Sequence, residues 1–348
     1  LPPARRGDTI IHMRAARFLR LLVVLALLTG VAATFPADAR EVQAVPECAV
    51  CGEAITEDIF QTRGKSYHSD HFRCAQCNRP ITGSYSEFGG KNYHNDCFKN
   101  HVALRCALCE DVIHGEYLED FWGNSYCYRH DKDAPVCDSC GRFISDRTTQ
   151  GGVRYDDGRY ICNVCRPESI TDIDDILDLV HEVAEQMGTF GMKVDYNGIK
   201  IHLVGRDRMQ RLSGHHSPGL RGFTDYREDF RVFGKSKNRR MDLYLLYGMP
   251  RMELISTIAH ELAHVWQFNR GAFRNESAWA EGSCNYASYL VLAQYPGRES
   301  SFFRTSLTRD EDKIYGDGFR RVKTLAEAEG RREWLRYLGR GADFPPGY

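Results

Sequence analysis

The chain lacks a surplus of either charge: 46 lysines and arginines stand against 47 aspartates and glutamates, for a formal net charge of −1. That balance excludes the basic stripe on which nucleic-acid binding rests, and the local run Lys235–Arg240 reads as an exposed loop. The apolar run Leu21–Leu28 is too short to span a bilayer comfortably, which argues against a lasting membrane span. Cysteine is almost missing from the second half. Twelve of the 13 lie between Cys48 and Cys165, and only Cys284 follows. Past Pro167 the pattern is that of an ordinary globular domain. Histidine stops at His264, so no metal site can draw an imidazole from the remainder of the chain.

What is present begins with His260-Glu261-Leu262-Ala263-His264. The segment lies in Met252–Phe268, where Leu254, Ile255, Ile258, Leu262 and Val265 recur at helical spacing. Four residues are a little over one helical turn, so both imidazoles leave the same face and can share one zinc ion. Glu261 is offset from that face, placed to take a proton from an activated water. The absence of later histidines excludes a downstream H-x-x-G-x-x-H arrangement and leaves a carboxylate or thiolate as third ligand. Asn275 and Ser277 are helix-start residues, and Ala278–Gln294 then reads as a second amphipathic helix with Glu281 one turn inside it. Two histidines and Glu281 would leave one position for water, the open geometry of a catalytic centre. Glu276 is the alternative carboxylate, at the helix start. Cys284, one turn beyond Glu281, reads as a buried thiol.

The cysteines resolve into four sets of four donors: Cys48, Cys51, His68 and His71; Cys74, Cys77, His94 and Cys97; Cys106, Cys109, Cys127 and His130; Cys137, Cys140, Cys162 and Cys165. Each set is two short knuckles on either side of a loop, suited to a closed tetrahedral zinc site rather than to disulfides, and no cysteine of this half is left over. The reading is four structural zincs beside one catalytic zinc. The first two sets fit C-x2-C-x16-H-x2-H-x2-C-x2-C-x16-H-x2-C and resemble a LIM domain over 46–103, with His71 and His94 where cysteine is more usual and Phe72 and Tyr93 at core aromatic positions. His101 is an alternative donor to His94. The third and fourth sets form a LIM-like module over 104–166, with a longer spacer between His130 and Cys137. Modules this small depend on metal binding for their folding energy. They bind protein partners.

Residues 1–39 read as a secretory signal region: Arg14, Arg17 and Arg20 precede the apolar run, Ala37-Asp38-Ala39 offers a cleavage pattern, and Met13 is the expected start. This implies a secreted or periplasmic protein; an uncleaved membrane anchor is the alternative. Residues 167–348 form the last domain. Thr171 should cap a helix with the stripe Ile173, Ile176, Leu177, Val180, Val183 and Met187, ending at Gly188. Ile199–Val204 alternates as a strand that carries His202 on its face, and Arg206–Lys237, with His215-His216, reads as loop. Met241–Tyr247 is a second strand, the candidate edge for an extended substrate, and Gly248-Met249-Pro250 turns it into the metal helix. The fold class is α+β: small β-rich zinc modules followed by a zincin-like domain.

The order of parts resembles the plant ubiquitin-activated LIM peptidases, the "DA-one" family. The resemblance runs from about Cys48 to Arg321. It rests on the paired modules with His130-Asp131-Lys132-Asp133-Ala134-Pro135 and Asp157-Gly158-Arg159, and on Tyr247-Gly248-Met249-Pro250-Arg251. It continues through the H-E-L-A-H helix with Val265-Trp266, then Glu281-Gly282-Ser283-Cys284, and Tyr315-Gly316-Asp317-Gly318-Phe319-Arg320. It implies a zinc metallopeptidase acting on protein or peptide substrates, with His260 and His264 as ligands, Glu261 as the catalytic carboxylate and Glu281 as the best third ligand. Ubiquitin enters as a partner by this resemblance alone, since a leader occupies the place of the ubiquitin-interacting helix. Tyr315 is the candidate oxyanion donor. The competing reading is a non-catalytic scaffold, in which the LIM modules recruit partners and the peptidase-like domain is inert.

Overall fold

The computed structural model describes residues 45–132, 134–214, 217, 219–230, 237–272, 277–340, 344–345 and 347–348, and a two-residue strand at Ile11–His12. The signal region 1–39 with Met13, residue Asp133, the pair His215-His216, Asn275 and Glu276 lie outside the described residues. The chain divides into two compact units. Among the described residues, one takes in 45–117 and Ser125–Tyr128; the other takes in Leu118–Asn124 and those from Arg129 onward.

In the first unit, short antiparallel hairpins pair Ile59–Thr62 with Lys65–His68 and Tyr85–Phe88 with Lys91–His94. Each hairpin carries a ligand histidine, His68 or His94, at its open end away from the turn. What is buried between them is small: Phe72, Ile81, Tyr93 and Cys74, with Phe60, Tyr67, Tyr85 and Phe98 against them. Phe72 stacks on Phe60 at 4.7 Å and meets Tyr85 edge-on at 4.9 Å. Phe72 and Tyr93 are thus the core aromatics that the spacing predicts.

The second unit holds the fourth cysteine set, of which Cys162 ends the hairpin of Gly152–Arg154 and Tyr160–Cys162, followed by the C-terminal domain. That domain runs α1 Ile173–Thr189, β1 Lys200–Val204, α2 Arg206–Ser213, β2 Gly222–Phe230, β3 Lys237–Leu246, α3 Arg251–Asn269, α4 Ser277–Leu292, α5 Arg298–Arg309, α6 Gly316–Glu329 and α7 Arg331–Leu338. Small β-hairpin zinc modules followed by a helix-rich domain make the fold α+β. Asp172, not Thr171, caps α1, its carboxylate accepting from the Asp174 N–H at 2.8 Å. The charged cap satisfies an orphan donor and suits the positive helix end better than a hydroxyl. Within the expected stripe, Ile173 and Leu177 face outward, while Leu179 and Ala184 join Ile176, Val180, Val183 and Met187 in the core.

Two further expectations change. Arg206–Lys237 is not simply loop: it contains α2 and β2, and the described part of Lys235–Arg240 opens β3. The sheet order is β1-β3-β2, with β1 parallel and β2 antiparallel to β3. The strand over Met241–Tyr247 is therefore central, and the edge nearest the metal helix is β2. Residues Leu243, Leu245 and Leu246 are fully buried, as a strand paired on both sides requires.

Helices α3 and α4 are buried on nearly every side and form the centre of the core, packed with α6. The entry to α3 is held from the fourth zinc module. Arg159, 2% exposed, is paired with Asp157 and donates to the Tyr247 carbonyl at 2.6 Å. Ser169–Ile170 pairs with Met249–Pro250. Arg221 joins Glu253 of α3 at 2.6 Å and the Asp138 carbonyl at 3.0 Å.

Candidate metal centre

His260 and His264 leave the same face of α3, their ring centroids 5.0 Å apart. Their Nε2 atoms lie 3.1 Å and 3.4 Å from one oxygen of Glu281, on α4. The opposite edge of each ring is occupied. His260 Nδ1 donates to Asn285 Oδ1 at 2.9 Å, and His264 Nδ1 meets Cys284 Sγ at 3.4 Å. Gln267 donates to both Cys284 Sγ and the Ala280 carbonyl, tying α3 to α4. Pinning Nδ1 turns the Nε2 edge of both rings toward the carboxylate, which is how metal-binding histidines are oriented. Cys284 also lies close enough to the imidazoles to be counted with them as a donor. It approaches His264 from behind, however, and is fully buried, whereas the carboxylate meets both Nε2 atoms. His260, His264 and Glu281 could hold one metal ion between them, and side-chain exposures of 18%, 17% and 22% leave the place reachable by solvent.

Electrostatics agree with that donor set. Burial would raise the Glu281 carboxyl, but the charge on His264 and hydrogen bonds from both imidazoles hold it well below the usual carboxylate range. Burial would lower His264, but Cys284 and Glu281 beside it hold it well above the ordinary imidazole value. Burial pushes the Cys284 thiol up to about 11, against the pull of His264 beside it.

Glu261 is 5% exposed and turns toward β2, where Thr224 Oγ1 donates to its Oε2 at 2.7 Å. Tyr315 comes from the N-terminal edge of α6, its ring 6.3 Å from that of His260, and its carbonyl accepts from Asn285 Nδ2 at 3.2 Å. Burial first, then the carboxylates of Glu281 and Glu261, push the phenol well above its usual value, so it remains a donor. Glycine places this segment. A Cβ on Gly282 would strike the Gly318 carbonyl and lie 2.7 Å from Phe319 N, so α4 and α6 cross backbone to backbone. The E-G-S-C and Y-G-D-G-F-R segments, far apart in sequence, thereby meet at the same centre.

The four donor sets of the cysteine half are each assembled, with ligand atoms within 4.8 Å of one another. The Cys109–Cys127 and Cys140–Cys162 sulfurs are 3.8 Å and 3.7 Å apart, and every cysteine is free. Such separations suit thiolates about 2.3 Å from a shared zinc and are far too long for an S–S bond. His94 is in its set and His101 is not. The buried His130 Nε2 has no hydrogen-bond partner among the described residues. Burial would raise Cys48 and Cys74, but the N–H groups of Cys51, His68 and Val50 pull Cys48 down to about 5. Those of Cys77, His94 and Gln76 pull Cys74 down to about 6, favouring the thiolate that zinc requires.

Sequence reasoning missed Asn285 and Thr224. Asn285 stands four residues after Glu281, a spacing that puts it on the same helix face and could have revealed it. Thr224 lies in a segment read as loop and carried no local signal.

A LIM-domain family model matches residues 48–88. Protein DA1-related 2 of Arabidopsis thaliana is 27% identical, covering 86% of this chain and 64% of its own length. The present chain thus carries a LIM domain and is homologous to the DA1 and DA1-related proteins over most of its length. The LIM domain-containing protein HDR3 of Oryza sativa subsp. japonica is 26% identical over 72% of this chain, and Protein DA1 of Arabidopsis thaliana 25% identical over 72%. The chain spans 58–64% of the length of these relatives. The DA1-type kinship covers the LIM modules and the helical domain together. LIM domains generally mediate protein interaction, and among the described residues no helix is long and apolar enough to cross a membrane.

Proposed function

We propose that this protein is a zinc-dependent endopeptidase whose LIM and LIM-like modules engage protein substrates or regulators. The observation that carries the reading is the meeting of both Nε2 atoms on the Glu281 carboxylate, with Nδ1 of each ring pinned from behind. His260, His264 and Glu281 would hold one zinc, and the four cysteine sets would hold four structural ones. Bound there, zinc would supply Lewis acidity toward a peptide carbonyl and make water acidic enough to lose a proton near neutral pH.

The rest is done by side chains of this chain. An extended substrate lies along β2, the sheet edge beside α3, through backbone hydrogen bonds. The Glu261 carboxylate accepts the proton of the attacking water and then delivers it to the leaving amine nitrogen. The Tyr315 phenol, kept protonated, donates to the oxygen on which negative charge develops. Action outside the cytoplasm is part of the proposal and rests on the signal pattern of 1–39; ubiquitin as activator rests on the resemblance alone.

Glu261→Gln tests the reading. Identification of new peptide termini after incubation with an extracellular proteome should show cleavage by the unaltered protein and none by the variant, at equal zinc content. Equal cleavage by both would refute the assignment of the base. Absence of cleavage with five zincs bound would favour the scaffold reading.

A further inference from the structure

We propose that Thr224 is a positioning residue for Glu261. Its hydroxyl, acting in space that Gly222 leaves open, holds the carboxylate in the orientation needed to take a proton from water. The inference rests on the endopeptidase reading and adds to it a role for the edge strand beyond substrate binding.

Residues 222, 224 and 226 alternate on β2 and face α3 together. All three touch the catalytic helix. A Cβ at Gly222 would lie 2.8 Å from Glu261 Oε1, 2.9 Å from Glu261 Cγ and 2.6 Å from Thr257 Cγ2, so any side chain there would push the carboxylate aside. Thr224 Oγ1 donates to Glu261 Oε2 at 2.7 Å and is itself 9% exposed. Tyr226 stacks on Phe268 at 4.8 Å and 12°, and Phe268 stacks in turn on His264 at 6.1 Å. The strand cannot drift, because Gly222 and Thr224 are in register with Leu245 and Leu243 of the central β3. A glutamate has three rotatable bonds, and burial without a donor would leave its carboxylate both costly and badly aimed. The hydroxyl has one proton to give, and the carboxylate at 2.7 Å is a nearer acceptor than the Glu261 backbone carbonyl at 3.4 Å. One strand therefore contacts the proposed base directly and a proposed ligand through Phe268.

The test compares Thr224→Val, Thr224→Ser and Glu261→Gln in the full, zinc-loaded chain, with casein as substrate. Thr224→Val, which keeps shape and loses the donor, should lower kcat about tenfold or more while KM and zinc content stay within about twofold. Thr224→Ser should restore most of the loss. A Thr224→Val enzyme with unaltered kcat, or a Thr224→Ser enzyme as impaired as the valine form, overturns the inference and leaves the endopeptidase reading standing. If the unaltered chain cleaves nothing, or Glu261→Gln cleaves equally well, the endopeptidase reading fails instead. Crystal structures of the metal-free variants then decide the positioning role. Glu261 should hold one rotamer in the unaltered and serine forms and leave it in the valine form; an identical rotamer in all three overturns the proposal.

Discussion

Asn285→Ala should loosen the metal centre without unfolding the domain. The side chain makes two bonds, accepting from His260 Nδ1 at 2.9 Å and donating to the Tyr315 carbonyl at 3.2 Å. Loss of the partner that orients a metal-binding histidine typically weakens metal affinity by about 10- to 100-fold, or about 1.4–2.7 kcal/mol. Asn285 is 6% exposed, so in the alanine form no solvent readily replaces the lost acceptor, and the upper part of that range is expected. Asn285→Asp supplies the control: it keeps the acceptor for His260 and loses the donor to Tyr315. Its zinc affinity should equal or exceed that of the unaltered protein, since a carboxylate raises imidazole basicity, while its turnover falls because the Tyr315 carbonyl loses its donor on α4. Competition with a chromophoric chelator, following the most weakly held ion, measures the first quantity. An alanine variant within about twofold of the unaltered affinity, or an aspartate variant as weak as alanine, would refute the reasoning.

Two other outcomes follow from the same geometry. His264 is held well above its ordinary pKa in the metal-free chain, so near neutral pH zinc must displace a proton from it. Affinity should therefore rise with pH, by up to about tenfold per unit, and level off once pH exceeds that raised value. Calorimetric titration in two buffers of different ionisation enthalpy reads the released proton, and no release at pH 7 would contradict the protonated imidazole. Gly282→Ala drives a methyl group into the Gly318 backbone, which cannot yield as a flexible side chain would. A loss of about 1–3 kcal/mol or more is expected, seen as a lower unfolding temperature together with weaker zinc binding, and an unchanged melting profile would count against the close crossing.

Local spacing made much of this protein legible. The H-E-L-A-H helix was bounded to within a residue at each end, because its apolar period and the turn ahead of it are properties of contiguous sequence. The four donor sets were readable for the same reason: a knuckle needs only two residues between ligands, and the hairpins bring two knuckles together. Glu281 was reachable through the helix start that precedes it. Strand order was not. Met241–Tyr247 looks the same in sequence whether it lies at an edge or in the middle, and only the pairing of β2 along its free side makes it central. The cap of α1 moved by one residue, since Thr171 and Asp172 both carry side chains able to accept.

The candidate ligands, the α+β class and the helical bearing of the two histidines were thus readable from the order of amino acids, because each rests largely on local spacing. The aim of those ligands was decided by folding in three dimensions. Asn285 and Cys284 turn the imidazoles only because α4 lies along α3, and Tyr315 reaches them only because two glycines let α6 cross at backbone distance. Thr224 meets Glu261 only because the sheet places β2 on its outer edge. Such contacts join residues tens of positions apart, and packing, which has no signature in any short stretch of sequence, is what brings them within bonding range.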